Sequence, residues 1–217
     1  MNHVSKLLLG TLMLAAASVS FGQTPTNTLN ALPDAIQQES MGNLTSPTGD
    51  SYIHLFNAGA NGGAGNIVAQ VYVFDAVDEQ LIACCSCPLT PDQGASISAK
   101  HQLTVNPLTP AMPSSVTVKL VSTFAGTPAT DQTVTGAPGF SAGLRADRTT
   151  THLTANYPGI PANITEVDFK NVTISATEYE RMVTTCAFIN TDGSGFGICG
   201  GCTKGVSAGG GHLPSGG

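Results

Sequence analysis

Charge is scarce in this chain. Asp, Glu, Lys and Arg make up only 10% of its 217 residues, well under the roughly 25% of ordinary globular proteins. Basic residues are the scarcer half, 8 Lys+Arg against 14 Asp+Glu, with no basic patch. Nucleic-acid phosphates and anionic bilayer surfaces both call for clustered Lys and Arg, so neither partner is expected. Long apolar runs are missing too. The run Leu7 to Ala17 falls well short of the roughly 20 residues that a membrane-spanning helix needs. Cysteine is absent from the whole stretch between Cys87 and Cys186.

That short apolar run has its own meaning. Lys6 precedes it, and Ser20 and Gly22 occupy the −3 and −1 positions of a cut before Gln23. Residues 1–22 are therefore expected to be a secretory signal peptide, placing the protein outside the cell or in a periplasm. No cysteine lies near the cut to take a lipid anchor, and no membrane contact is expected after cleavage. Without Lys6 the balance is 7 basic against 14 acidic residues, near −7. The remainder is one domain's worth of chain, long enough to bury a core without leaning on cysteines.

Residues 23–49 are rich in Thr, Asn, Gln and Pro with little periodicity and read as a flexible arm. Residues 50–206 carry the domain. Tyr52–Phe56 is a short apolar run, and Ile67–Phe74 is the strongest strand, dense in β-branched and aromatic residues. Asp75–Glu79 reads as a turn, and Gln80–Cys87 returns as the second arm of a hairpin, with Pro88 ending the pairing. Ala95–Val105 alternates weakly and Ser114–Phe124 cleanly. Thr149–Thr154 and Val167–Ser175 add strands, and the Gly/Pro/Thr-rich 126–143 reads as a long loop. One helix is expected, with Thr177 as N-cap, Glu178 and Glu180 in its first turn, a buried stripe of Met182, Val183, Cys186 and Ile189, and Gly193 at its end. Residues 207–217 read as a disordered Gly-rich tail. The expected fold is mainly β, a single antiparallel sandwich of immunoglobulin-like or related architecture with one C-terminal helix stapled by cysteines.

The six cysteines fall in two groups, Cys84, Cys85, Cys87 and Cys186, Cys199, Cys202. An even count in an exported chain points to disulfides, with 15 connectivities open. Side chains alternate along a strand, so Cys85 and Cys87 share a face and Cys84 opposes them. At least two bridges between the groups are expected. Each would close a loop near 100 residues, which corresponds to about 4–5 kcal/mol as an upper figure for lost chain entropy. The alternative is a zinc or copper site built from the thiolates of Cys85, Cys87, Cys199 and Cys202. A redox dithiol at Cys199–Cys202 lacks the preceding strand and following helix, and haem attachment fails because position 203 is Thr.

Other motifs are partial. Gly139-Phe-Ser141-Ala-Gly143 matches a nucleophile elbow, with Asp147 and His152 following, but no strand-to-helix context surrounds it. It supports a third expectation, a small serine hydrolase around Ser141. Gly49-Asp50-Ser51-Tyr52 is similar to an esterase block, without the Asp-x-x-His that would complete it. Asn190-Thr-Asp192-Gly-Ser194-Gly195 starts like a calcium loop, but Gly201 stands where Glu is needed, and the backbone of 192–197 is a candidate anion cradle. His54, His101 and His152 are scattered. Asn43, Asn163 and Asn171 head glycosylation sequons.

Val71-Tyr-Val-Phe-Asp-Ala through Cys84-Cys-Ser-Cys-Pro, together with Gly193-Ser-Gly-Phe-Gly-Ile-Cys199-Gly-Gly-Cys202, resembles uncharacterised secreted proteins of acidobacterial soil bacteria. The resemblance implies export and a cysteine clamp, and no activity. The leading expectation is a secreted, non-enzymatic structural, adhesive or interaction protein, with no catalytic residues and no cofactor, and with self-association or an extracellular ligand as its partner. The metal module and the hydrolase stand as alternatives.

Overall fold

The computed structural model describes residues 28–29, 34–45, 49–59, 65–124, 139–153 and 161–200. The expected signal peptide, the Gly-rich tail and Cys202 lie outside them. Strand formation follows the β-branched and aromatic runs. The strands are β1 (Thr28–Leu29), β2 (Ile36–Met41), β3 (Gly49–Asn57), β4 (Ile67–Asp75), β5 (Leu81–Leu89), β6 (Gly94–Ser98), β7 (Val116–Phe124), β8 (Leu144–Leu153), β9 (Pro161–Asp168), β10 (Lys170–Asn171) and β11 (Ile174–Ser175). One π-helical turn, Ala99–Leu103, follows β6, and one α-helix, α1 (Ala176–Thr191), follows β11.

Two antiparallel sheets face each other, as expected of the sandwich. One has the order β10-β2-β7-β4-β5 and the other β6-β3-β8-β9, and β1 and β11 form a small third sheet. Between the two large sheets Ile53, Leu55, Ile97 and Leu144 meet Val71, Val73, Val118 and Leu120, each at most 1% exposed. The five-stranded sheet is covered again on its far side. There Ile36, Tyr72 and Val121 pack against Tyr179, Met182, Val183, Cys186 and Ile189 of α1. The fold therefore has three layers, helix, sheet and sheet. β4 is an interior strand of the central layer, between β7 and β5, which is why its sequence is apolar in both side-chain rows.

The pairings β3–β6 and β4–β7 correspond to the B–E and C–F pairs of an immunoglobulin sandwich. The next strand departs from that pattern. There it would join the C–F sheet, whereas β8 lies beside β3. The switch is visible in the chain. Phe140 bridges to Thr123 of β7, then Gly143, at φ 96°, turns the backbone across to the other sheet.

Three local expectations are corrected. The arm predicted over 23–49 contains β2, which pairs with β7 along its whole length. Its polar residues disguise it. Gln37 points inward and donates to Leu144 O at 2.7 Å, and Glu39 pairs with Arg148 of the facing sheet at 3.6 Å. Pro88 does not end β5, which runs on to Leu89 with Pro88 opposite Val68. Within its sheet β5 is an edge strand, where a missing N–H is tolerated. The N-cap of α1 is Ser175 rather than Thr177. Its Oγ accepts from Glu178 N at 3.0 Å, and Ser175-Ala-Thr-Glu178 is the S-x-x-E spacing of a capping box. The helix stops before Gly193 as expected.

Candidate functional site

The two cysteine groups meet at the outer edge of β5. Alternation along the strand sends Cys84 towards α1 and Cys85 and Cys87 into the core between the sheets. Cys84 is bridged to Cys186 across 102 residues and Cys85 to Cys199 across 114, with Cα atoms 5.9 and 5.4 Å apart. Cys87 is disulfide-bonded as well. Cys85 and Cys199 are thus joined to each other, which takes two thiolates from the zinc or copper set and leaves Cys199 unable to form a local pair with Cys202. No metal-holding cluster of His, Cys, Asp or Glu occurs among the described residues.

The bridges hold a short segment against the edge of β5. Cys84 N donates to Gly197 O at 2.8 Å, and Ile198 makes a parallel bridge to Cys84. Leu108 N donates to Ile82 O at 3.0 Å further along. Gly197 must be glycine. Its φ is +74°, and a Cβ there would lie 2.9 Å from Ile189 Cγ2 and 3.1 Å from Leu108 Cγ. The segment thereby occupies backbone groups that an open edge would offer to another chain. Behind it, Asn190 Nδ2 donates to Cys186 O at 2.8 Å and lies 3.4 Å from Cys186 Sγ.

The hydrolase-like residues do not converge. Ser141 is fully buried, and its N–H donates to Ser122 O at 2.9 Å where the chain leaves β7. Asp147 pairs in register with His54 and Asp168, on the solvent face of β8. His152 belongs to the opposite row of that strand, about 27 Å beyond Leu144 at 3.4 Å per residue, and its Nε2 lies 3.3 Å from Thr165 Oγ1. Asp50 and Ser51 are structural. Asp50 accepts from Ser51 N, Lys100 N and the Ser98 hydroxyl, fastening the π-helical turn to β3, and the buried Ser51 Oγ lies 2.9 Å from Thr150 Oγ1.

The calcium-like loop is also spoken for. Both Asp192 oxygens accept from Ser194, from its N–H at 3.0 Å and its hydroxyl at 2.9 Å. In the candidate anion cradle, Phe196 N donates to Ser194 Oγ and Gly197 N to Asn106 O. His101 is exposed, its N–H donating to Ser98 Oγ. The sequon residues Asn43, Asn163 and Asn171 are all exposed.

The Tyr72 hydroxyl has a displaced pKa. Burial, and then Tyr179 beside it, pushes the Tyr72 hydroxyl well above its ordinary 10.0. Tyr72 lies between the central sheet and α1, so the shift reports the dryness of that layer. A surface cleft of about 560 Å³ runs along the same seam past Phe74, Lys119, Glu178 and Arg181. Lys119 spans it, over the Phe74 ring at 5.3 Å and ion-paired to Glu178.

Sequence reasoning passed over the row Tyr52, His54 and Phe56 on the outer face of the four-stranded sheet. Both His54 ring nitrogens are held, Nδ1 by Ser96 Oγ at 2.7 Å and Nε2 by Thr149 Oγ1 at 3.0 Å. The signal was the alternation in Tyr52-Ile-His-Leu-Phe56, whose aromatic members fall in one row and whose aliphatic members fall in the other. Among the described residues no helix is long and apolar enough to cross a membrane. Set against protein-family models, curated proteins and solved structures, the chain matches none of them.

Proposed function

We propose that the chain is an exported, non-enzymatic binding domain of the structural or adhesive kind. The observation that carries this reading is the ordered aromatic row on the open face of the four-stranded sheet, presented by a sandwich whose helix layer is locked by long-range disulfides. Disulfides of this kind persist in oxidising compartments outside the cytosol, which supports export. A binding surface gains from rigid support, because little conformational freedom is then lost on contact.

The test is retention of the full, oxidised protein on immobilised extracellular proteins, polysaccharides and intact cells. Retention on one of these is expected. Retention on none of them, or ester hydrolysis that disappears in Ser141→Ala, would sink the proposal. Intact-mass measurement with and without reductant addresses the metal alternative. Six oxidised cysteines without bound metal are expected, whereas four or more free thiols with stoichiometric zinc or copper would favour the metal module.

A further inference from the structure

The chemistry of the open sheet face names a class of ligand. Alternation along β3 turns Ile53 and Leu55 into the core and Tyr52, His54 and Phe56 to solvent. Tyr52 is 38% and Phe56 42% exposed, on a strand inside the sheet rather than at its edge. Their cross-strand neighbours on β6 are small: Ser98 beside Tyr52, Ser96 beside His54 and Gly94 beside Phe56. The hydroxyls of Ser96 and Thr149 fix the His54 ring. The Tyr52 ring runs nearly parallel to it, at 18° and 6.5 Å between centroids. From Tyr52 to Phe56 the row extends about 14 Å, which suits an extended ligand.

The charges on this face decide among extended ligands. Asp147, Glu166 and Asp168 occupy the outer rows of β8 and β9, and Arg145 is paired with Asp34 at 3.1 Å. A cleft of about 340 Å³ opens beside Arg145, Asp147 and Asp168. The face is thus net negative, which disfavours acidic polymers by like-charge repulsion. Carboxylates accept hydrogen bonds from hydroxyl groups, and aromatic rings seek apolar surface. A sugar ring offers both, hydroxyl donors around its rim and C–H groups on its faces. We propose that this face binds an uncharged polysaccharide laid along β3, with Tyr52 and Phe56 against the C–H faces of its sugar rings and Asp147, Glu166 and Asp168 accepting from its hydroxyls. This rests on the binding-domain reading above and specifies its ligand.

Affinity electrophoresis of the full, oxidised protein through gels containing xyloglucan, galactomannan, glucomannan or dextran tests it, together with pull-down on insoluble cellulose and chitin. Alginate and heparin serve as acidic polymers, and immobilised collagen and fibronectin as protein surfaces. Retention by at least one uncharged polysaccharide is expected. Tyr52→Ala/Phe56→Ala should weaken it about tenfold or more, each ring contributing on the scale of an aromatic contact, at an unchanged melting temperature. Tyr52→Phe should retain binding, because the ring stays. Phe188→Ala, at an exposed aromatic on α1, should change nothing. Failure of every uncharged polysaccharide, or binding that survives the double substitution, overturns the proposal. Binding confined to the protein surfaces also overturns it while leaving the binding-domain reading intact, whereas retention on no surface at all removes both.

Discussion

The two large sheets are made differently. The five-stranded sheet is covered on both faces, by the opposing sheet and by α1, and its outer edge is fastened by disulfides. Among the described residues the four-stranded sheet is covered on one face and open on the other. β4 accordingly reads Ile-Val-Ala-Gln-Val-Tyr-Val-Phe-Asp and is buried in both rows, while the outer row of β3 is half-open. Constraint is concentrated in the central sheet. Side chains of the central sheet answer to packing on two sides, whereas the outer row of β3 is free to answer to something beyond the molecule.

Four experiments test that contrast. The largest effect is expected from the clamp. With Cys85–Cys199 still in place, Cys84→Ala/Cys186→Ala opens only the loop of about 15 residues that closes through that second bridge, and should cost about 3 kcal/mol in denaturant unfolding, with hydrogen exchange rising first in α1. An equal loss of protection in β3 would mean that the layers do not differ as described.

The second effect is alkaline. The unfolded chain ionises Tyr72 near the ordinary 10.0, while burial keeps it protonated in the folded state to a higher pH. Above pH 10 the folded state therefore holds the extra proton. Stability from this group is complete below about pH 10 and is lost as the pH rises through the folded value, by about 1.4 kcal/mol per unit. Tyr72→Phe should flatten that limb of a stability–pH curve. An unchanged slope would show that Tyr72 does not govern it.

A third, smaller effect concerns the start of α1. Ser175→Ala removes the cap on Glu178 N and should lower stability by about 1 kcal/mol, read as a shift in denaturant midpoint. Thr177→Ala should not do so to the same extent, since Thr177 is exposed inside the first turn. The smallest effect is expected on the open face. Tyr52→Ala and Phe56→Ala should each change stability by less than about 0.5 kcal/mol, and a cost of about 3 kcal/mol, typical of a core aromatic, would mean that the face is packed rather than open.

Much of this was legible in the residues. The β4–β5 hairpin, the strand 116–124 and the helical stripe from Met182 to Ile189 follow from period and composition, because burial on a regular element leaves a regular pattern. The alternation of Cys84 against Cys85 and Cys87 followed from strand geometry alone. β2 was not legible, because Gln37 and Glu39 satisfy their polar groups inside the sandwich through partners over 100 residues away, Leu144 O and Arg148. The capping box at Ser175 was legible in principle, through Glu178 three residues on. That the Gly-x-Ser-x-Gly run lacks the strand-to-helix context of an elbow was legible, but that its last glycine serves the crossing between sheets was not. The aromatic row of β3 was written in the sequence, but only the sheet order shows that it faces outward from the middle of an open layer.

The order in which the cysteines occur along the chain also sets a clock. Cys84, Cys85 and Cys87 emerge from synthesis about a hundred residues before Cys186 and Cys199. Throughout that interval the hairpin can form while its thiols have only each other, Cys84 on the helix side of the strand and Cys85 and Cys87 on the core side. A chain interrupted anywhere in the interval keeps three unmatched thiols beside an uncovered strand edge. The clamp is therefore a test of completeness, passed only when the last part of the domain has arrived.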